Sequence, residues 1–385
     1  MSLFRHAWWS DRPEFDLLLS LSRIEVTTSE AERCRRLLRD HKNDFDWGLF
    51  IDQAGRHKVL PLVGRHIVRH NLHNGGDGIP LIPYRWLHNS VYFANKRRNE
   101  VLGQEFAVLF GALNAAGVPY AVRKGPVIAE TLYRDPGLRR MNDLDLLIDR
   151  DDAERVGDIL AAHGYTQGRL SADGTSIEPF TRSTQAFWRM HVPNELPYAK
   201  LSDREEVDVF FVDLCLSVSK PRSKETLTTR DLLARRRPTR LCGADAYALA
   251  LEDQFVDLCL HFRKEATSRH YIEAGVDLQL LKFLDIASMC AYVTTESAWK
   301  AVLDHAAESG AADGVYYAMY YAALLYPGDV PEDRLAALRP DDLGFLEEYG
   351  AVDGRVETWD LSFADRLFAR DRSGAVRGSS TVPRV

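Results

Sequence analysis

The chain has 385 residues, 45% of them hydrophobic and 27% charged, with a formal net charge of −7. That composition belongs to a globular protein long enough for two or three domains, and the negative balance argues against general nucleic-acid binding, which favours basic domains. No stretch approaches the ~20 apolar residues of a membrane span, and MSLFRHAWWSDRPEF has no uninterrupted apolar core of signal-peptide length. Five widely spaced cysteines form no CxxC pair, so neither a zinc ribbon nor a disulfide framework is expected, and a reducing cytoplasm fits best.

Residues 1–116 read as a mostly helical region. Ser29 to Leu38 has an N-cap serine and helical spacing. Asp46 to Val68 reads as a helix or helix pair broken near Pro61. NGGDG, from Asn74 to Gly78, is a loop. Pro83 to Leu113 is a long helical stretch in which Val101, Leu102, Phe106, Leu109, Phe110 and Leu113 recur at helical spacing. Gly117 suits a C-cap and Pro119 a stop. His66 and His70 stand four apart, but no HExxH or third ligand accompanies them, so a metal site is not expected there.

The stretch from Arg123 to Asp149, RKGPVIAETLYRDPGLRRMNDLDLLID, carries the chemistry. Tyr120 to Val122 is a short strand ending in Lys124-Gly125. A glycine after a strand lets the backbone approach a ligand, and exposed amides there can cradle phosphate. A helical segment follows from Val127 to Tyr133, then a turn at Arg134-Asp-Pro-Gly137. Arg139 and Arg140 supply positive charge just before an acidic strand. Within that strand Asp143 and Asp145 point to the same side, their Cα atoms about 7 Å apart. Two carboxylates so placed repel each other unless a cation sits between them or one is protonated. Mg²⁺ is the expected cation, since it takes carboxylate oxygens together with substrate phosphates.

The lysine-glycine turn, a helix, YRDPGLRRMNDLDLLI and a further helix ending in HGY together resemble the uncharacterised nucleotidyltransferase family of the DNA polymerase β superfamily. The specific resemblance runs from about Val118 to Tyr165 and continues loosely into the helical C-terminal half. It implies an α/β fold, a small mixed-sheet core flanked by helical regions. It also implies transfer of a nucleoside monophosphate from an NTP, such as ATP, to an acceptor with release of pyrophosphate. Two Mg²⁺ ions, or Mn²⁺, would be held by Asp143, Asp145 and a third carboxylate on a neighbouring strand. Lys124, Gly125 and Arg139 would bind the nucleotide. Many superfamily members have Gly-Ser at the turn; Gly125-Pro126 here lacks that hydroxyl.

After the acidic strand, Asp151 and Glu154 resemble a capping box, and Val156, Ile159 and Leu160 form the apolar stripe of a helix ended by Gly164. Phe180 to His191 is assigned a strand, with a break at Asn194 to Pro197. Glu205 to Leu214, EEVDVFFVDL, is strongly β-prone. Asp208 shares a face with Phe210 and Val212, and Asp213 lies on the opposite face with Val207, Val209 and Phe211. Asp208 is the preferred third carboxylate and Asp213 the runner-up. Pro221 to Arg240 reads as a linker or exposed loop.

From Asp245 the chain is helical again, in segments near Asp245 to Lys264, Val276 to Tyr292, Ser297 to Ser309 and Gly314 to Leu325. In the resembled family such helices close over the nucleotide, which makes His261, Arg263, Lys264, Lys282 and Asp285 second-tier candidates. The expected division is therefore 1–116 helical, 117–240 nucleotidyltransferase core, 241–371 helical and 372–385 a disordered tail. The acceptor could be a small molecule, a protein side chain or a tRNA end, and no membrane partner is expected. Two other classes stay open: a non-catalytic nucleotide or metal sensor on this fold, and an interaction protein whose acids fill a polar sheet edge.

Overall fold

The computed structural model describes residues 9–75, 80–192, 194–218, 224–351 and 354–371. It begins with α1 (Pro13–Leu21), α2 (Thr28–Asp40), α3 (Trp47–Arg56), α4 (Leu60–Arg69) and the long α5 (Arg85–Ala115). Thr27, two residues before the expected serine, caps α2: its hydroxyl accepts from Glu30 N, and the Glu30 carboxylate accepts from Thr27 N at 2.8 Å. That reciprocal pair satisfies two otherwise orphaned donors. The break between α3 and α4 falls at His57-Lys58-Val59, and Pro61 sits in the first turn of α4, where its missing N–H costs nothing. At the end of α5, Gly117 takes φ +65° and Val118 N donates to Leu113 O at 3.1 Å, closing the helix as expected.

The central segment contributes β1 (Tyr120–Val122), α6 (Lys124–Ile128) running into a π-helical turn (Ala129–Tyr133), β2 (Asp143–Ile148) and α7 (Ala153–Ala162). Then follow β3 (Thr166–Leu170), β4 (Ile177–Pro179), α8 (Arg182–His191), β5 (Tyr198–Leu201) and β6 (Val209–Cys215). The last elements of the segment are α9 (Thr229–Arg235), β7 (Arg237–Leu241) and β8 (Ala244–Ala248). The eight strands form one mixed sheet in the order β4-β3-β5-β6-β2-β1-β8-β7, with β2/β6 and β1/β8 parallel. Its core face takes Leu144, Leu146 and Ile148 of β2 and Phe210, Val212 and Leu214 of β6, packed with Phe106, Leu109, Phe110 and Leu113 of α5 and Val156 and Leu160 of α7. The opposite face carries a small cluster, Ala121, Leu147 and Cys215 with Leu232 and Leu233 of α9.

Four local expectations are corrected. Residues 182–191 form α8 rather than a strand, because the Thr181 hydroxyl accepts from Thr184 N and caps a helix. The described part of 221–240 is not loop throughout, since it holds α9 and most of β7. Residues 245–248 belong to strand β8, which pairs with β1 on one side and the edge strand β7 on the other, and the helix expected from Asp245 starts at Leu251. The Asp151/Glu154 box does not form: Asp149 accepts from Asp151 N at 3.1 Å, and a 3₁₀ turn, Arg150–Asp152, leads into α7. The expected tail at 372–385 lies outside the described residues.

The chain continues through α10 (Leu251–Thr267), α11 (Arg269–Glu273), α12 (Leu280–Tyr292), α13 (Glu296–Glu308) and α14 (Ala312–Leu325). α10, α12, α13 and α14 share one continuous apolar core with α1 to α4, and Ile128, Tyr133 and Leu138 reach into it from the central segment. The helices before and after the sheet thereby pack on each other beside it. No helix among the described residues is long and apolar enough to cross a membrane.

Candidate active site

The site starts where β1 ends. Ala121 faces away from the α5 side of the sheet, and two positions on Arg123 does the same. Its backbone N–H donates to Asp145 O at 3.0 Å. The guanidinium grips Asp257 of α10 through both carboxylate oxygens, Nε to Oδ2 at 2.8 Å, and both side chains are almost fully buried. Lys124 comes next, with Nζ 3.1 Å from Asp145 Oδ2 and 3.0 Å from His261 Nε2. Gly125 then takes φ +23°, ψ −107°, a region L side chains rarely adopt. A Cβ there would stand 3.4 Å from the Asp143 carbonyl oxygen.

Three carboxylates meet on neighbouring strand positions. In the parallel register of β2 and β6, Asp143 stands opposite Phe211 and Asp145 opposite Asp213. Asp143, Asp145 and Asp213 line one cleft of about 580 Å³ together with Arg123, Lys124, His261 and Lys264. Their electrostatics differ. Burial and the Asp145 charge raise the Asp143 carboxyl above the usual range. Burial opposes ionisation of Asp145 too, but Lys124 and Arg123 outweigh it and hold that carboxyl below the usual range. Burial, then Asp143 and Asp145, push the Asp213 carboxyl up to about 7. These directions mark a site short of positive charge at its acids.

The expected placement of Asp208 is corrected. It precedes β6, is exposed and does not line the cleft. Phe211, the partner of Asp143, lies three residues further on, so Asp208 falls beyond the acidic end of β2. The cause is the facing of β6. Phe210, Val212 and Leu214 take the core, which turns Asp213 and Cys215 toward the cleft.

Helices α10 and α12 wall the site. Asp257, His261, Lys264 and Glu265 sit at helical spacing along α10, one polar stripe on an otherwise buried helix. His261 Nε2 lies 3.2 Å from Glu265 Oε1, and Glu265 Oε2 is 3.0 Å from Lys282 Nζ of α12. Burial holds the His261 imidazole below its ordinary value, so it is neutral at pH 7. A recess of about 140 Å³ adjoins the cleft and is lined by Lys58, Lys124, Gly125, Arg139, Asp143 and Lys282 among others. Arg139 is committed there: Nη2 is 2.8 Å and Nε 3.1–3.2 Å from the Asp285 oxygens, and Tyr133 Oη donates to the same carboxylate at 2.8 Å.

Of the residues singled out in the sequence, Lys124, Gly125, Arg139, Asp143 and Asp145 come together in these two adjoining spaces, as do His261, Arg263, Lys264, Lys282 and Asp285; Asp208 does not. Sequence reasoning missed Arg123 with Asp257, Glu265 and Lys58. The Asp257-x3-His261-x2-Lys264-Glu265 stripe was the signal for two of them. The donor set that could hold a cation is Asp143, Asp145 and Asp213, all oxygen ligands of the kind Mg²⁺ takes. Among the described residues no three ligating side chains already converge on one point. Lys124 lies where a cation would serve Asp145, and the raised carboxyls of Asp143 and Asp213 are what such a set shows before a cation joins it. On donor chemistry and electrostatics the residues fit the ion.

The sequence model of the uncharacterised nucleotidyltransferase family matches residues 43–327. No curated protein matches the chain. Among solved structures, an antigenic nucleotidyltransferase-like protein from Paracoccidioides brasiliensis is similar at 15% identity over 56% of this chain and 91% of that one, with a TM-score of 0.30.

Proposed function

The chain belongs to the uncharacterised nucleotidyltransferase family, and on that premise we propose that it moves a nucleoside monophosphate from an NTP to an acceptor hydroxyl or similar group, releasing pyrophosphate, in a metal-dependent reaction. The observation that carries this reading is the pairing of Asp145 with Asp213 across parallel strands, with Asp143 two residues away and the Lys124-Gly125 turn beside them in one cleft. Asp143 and Asp145 are the proposed ligands of the ion that accompanies the triphosphate, and Asp213 completes the set in place of Asp208. When bound, Mg²⁺ or Mn²⁺ ions stabilise the attacking and leaving oxygens of an in-line displacement.

The protein's own residues supply position and charge. The Gly125 backbone, free of a side chain, lets phosphate approach the turn. Lys124 and Arg123 keep Asp145 ionised near neutral pH. Asp257 fixes Arg123, and His261 with Glu265 fixes the resting place of Lys124. A nucleotide is the substrate that the family implies. A cytoplasmic setting is proposed because all five cysteines are free thiols, four of them buried.

The test is incubation of the purified protein with α-phosphate-labelled NTPs, Mg²⁺ and a cell extract, followed by fractionation of the labelled product. Label transfer that disappears in Asp145→Asn and Asp213→Asn, with both variants folded, is the expected result. Mg²⁺-dependent NTP binding with no transfer into any fraction would instead make the protein a nucleotide sensor.

A further inference from the structure

The recess beside Gly125 is lined in part by a lysine from the N-terminal helical region. Lys58 sits in the turn between α3 and α4, with φ +59°. Lys58 N donates to Gly55 O and Val59 N to Ala54 O, both at 3.0 Å, which is the Schellman closure of a helix. The residue in the left-handed position of that closure is ordinarily glycine, because a side chain there is strained. Here it is a lysine, and its neighbours fix where it stands. Leu280 N donates to His57 Nδ1 at 3.1 Å, Leu281 N to His57 O at 3.3 Å, and Gln279 Nε2 to Arg56 O at 3.4 Å. Three bonds thus seat the turn on the start of α12, the helix that walls the recess.

The other inward cations of the recess are engaged. Lys124 is with Asp145, Arg139 with Asp285, and Lys282 with Glu265. No hydrogen bond or ion pair to the Lys58 ammonium is present among the described residues. Its electrostatic neighbours are Lys282, Glu265, Asp143 and Arg139. A half-buried ammonium without a partner is costly unless an anion arrives to meet it. Burial and Lys282 already push it below the usual lysine range, in the direction expected of a cation awaiting such a partner.

We propose that Lys58 is a phosphate-chain ligand, its ammonium binding the terminal phosphates of the nucleotide in the recess between Gly125 and the start of α12. The proposal rests on the nucleotidyltransferase reading and adds to it a ligand from outside the sheet, so that the N-terminal helices complete the nucleotide site. The β- and γ-phosphates leave together as pyrophosphate, and Lys58 then stabilises charge that grows on the leaving group.

The probe is inorganic tripolyphosphate with Mg²⁺, titrated by calorimetry into the full chain and into Lys58→Gly and Lys58→Arg. Glycine suits the left-handed position, so Lys58→Gly removes the charge while leaving the turn at least as stable, which a urea titration checks. A charge-assisted contact of this kind predicts a loss of about 10- to 100-fold in affinity for Lys58→Gly and most of the affinity retained in Lys58→Arg. Wild-type affinity in Lys58→Gly, or no tripolyphosphate binding by the wild type, overturns the inference. The two readings fail separately. Lys58-independent binding with intact label transfer removes only this inference. Lys58-dependent binding without label transfer removes only the transferase reading.

Discussion

Asp213→Asn tests the carboxylate triad without knowledge of the acceptor. The Asp213 carboxyl is pushed up to about 7 from an ordinary 3.8, first by burial and then by Asp143 and Asp145. The native state therefore holds a proton that the unfolded chain has already released between about pH 4 and pH 7. Stability that is complete below about pH 4 is lost as pH rises through about 7, and above that the cost is fully present. A span of about three pH units at about 1.4 kcal/mol each gives a ceiling near 4 kcal/mol. Asparagine keeps the shape and removes the charge. In chelator at pH 8, Asp213→Asn is expected to be more stable than the wild type by about 2–4 kcal/mol in urea titrations, and the gap should shrink toward zero near pH 4. Adding Mg²⁺ should narrow or close the gap, because the ion stabilises the state that binds it, by about 2.7 kcal/mol at a hundredfold excess over Kd. A variant no more stable than the wild type in chelator at pH 8 would show that the three acids do not share one electrostatic site.

Three further outcomes follow from the geometry. Asp208→Ala should retain label transfer close to wild type in a single-turnover assay, whereas Asp145→Asn should lose it; the opposite ranking would mean that β6 presents its other face to the cleft. Asp257→Ala strands the buried Arg123 guanidinium and should cost about 3–5 kcal/mol in urea titrations; a cost under about 1 kcal/mol would mean that Arg123 has re-paired with a neighbouring carboxylate. Burial lowers the His66 imidazole to about 4, and its Nε2 lies 2.7 Å from the Arg23 carbonyl oxygen. The unfolded chain therefore takes up this proton first, so stability present above pH 6.5 is lost as pH falls toward 4, by up to about 3 kcal/mol. His66→Gln should flatten that acid slope, and an unchanged slope would rule out His66 as its source.

Much of the segment from Tyr120 to Ile148 was legible in the sequence because its signals are local. Tyr120 to Val122 is short, apolar and followed by a glycine turn, and the observed β1 has those bounds. The Asp-Leu-Asp pattern puts both acids on one face whatever β2 packs against. EEVDVFFVDL is different. Both faces of that strand are apolar, Val207, Val209 and Phe211 against Phe210, Val212 and Leu214, so alternation cannot say which one α5 and α7 will cover. Only the parallel pairing with β2 decides it, and that pairing spans some 68 positions of sequence. Residues 182–191 failed for a simpler reason: Phe187, Trp188 and the threonines favour a strand by propensity, and the capping oxygen of Thr181 outweighs them. Lys58 was beyond reach, since its importance lies in a contact between α3 and α12 made more than 220 residues apart.

The net charge of −7 concealed the character of the site. Nine lysine and arginine side chains line the cleft and recess, against eight carboxylates. The remainder of the molecule therefore carries about −8, and the site is close to neutral within an acidic surface. A triphosphate with its accompanying divalent cations is itself nearly neutral. Such a pair needs matched local charges of both signs rather than a broad positive field, so an acidic chain can bind it without long-range attraction. The same balance explains the arrangement around Asp145. Arg123 and Lys124 keep that one acid charged, while burial and the neighbouring acids raise the Asp143 carboxyl above its usual range and the Asp213 carboxyl to about 7. Asp143, Asp145 and Asp213 would hold such a cation, which would supply the positive charge that Lys124 now gives Asp145, and the lysine beside the glycine turn would then be available to phosphate.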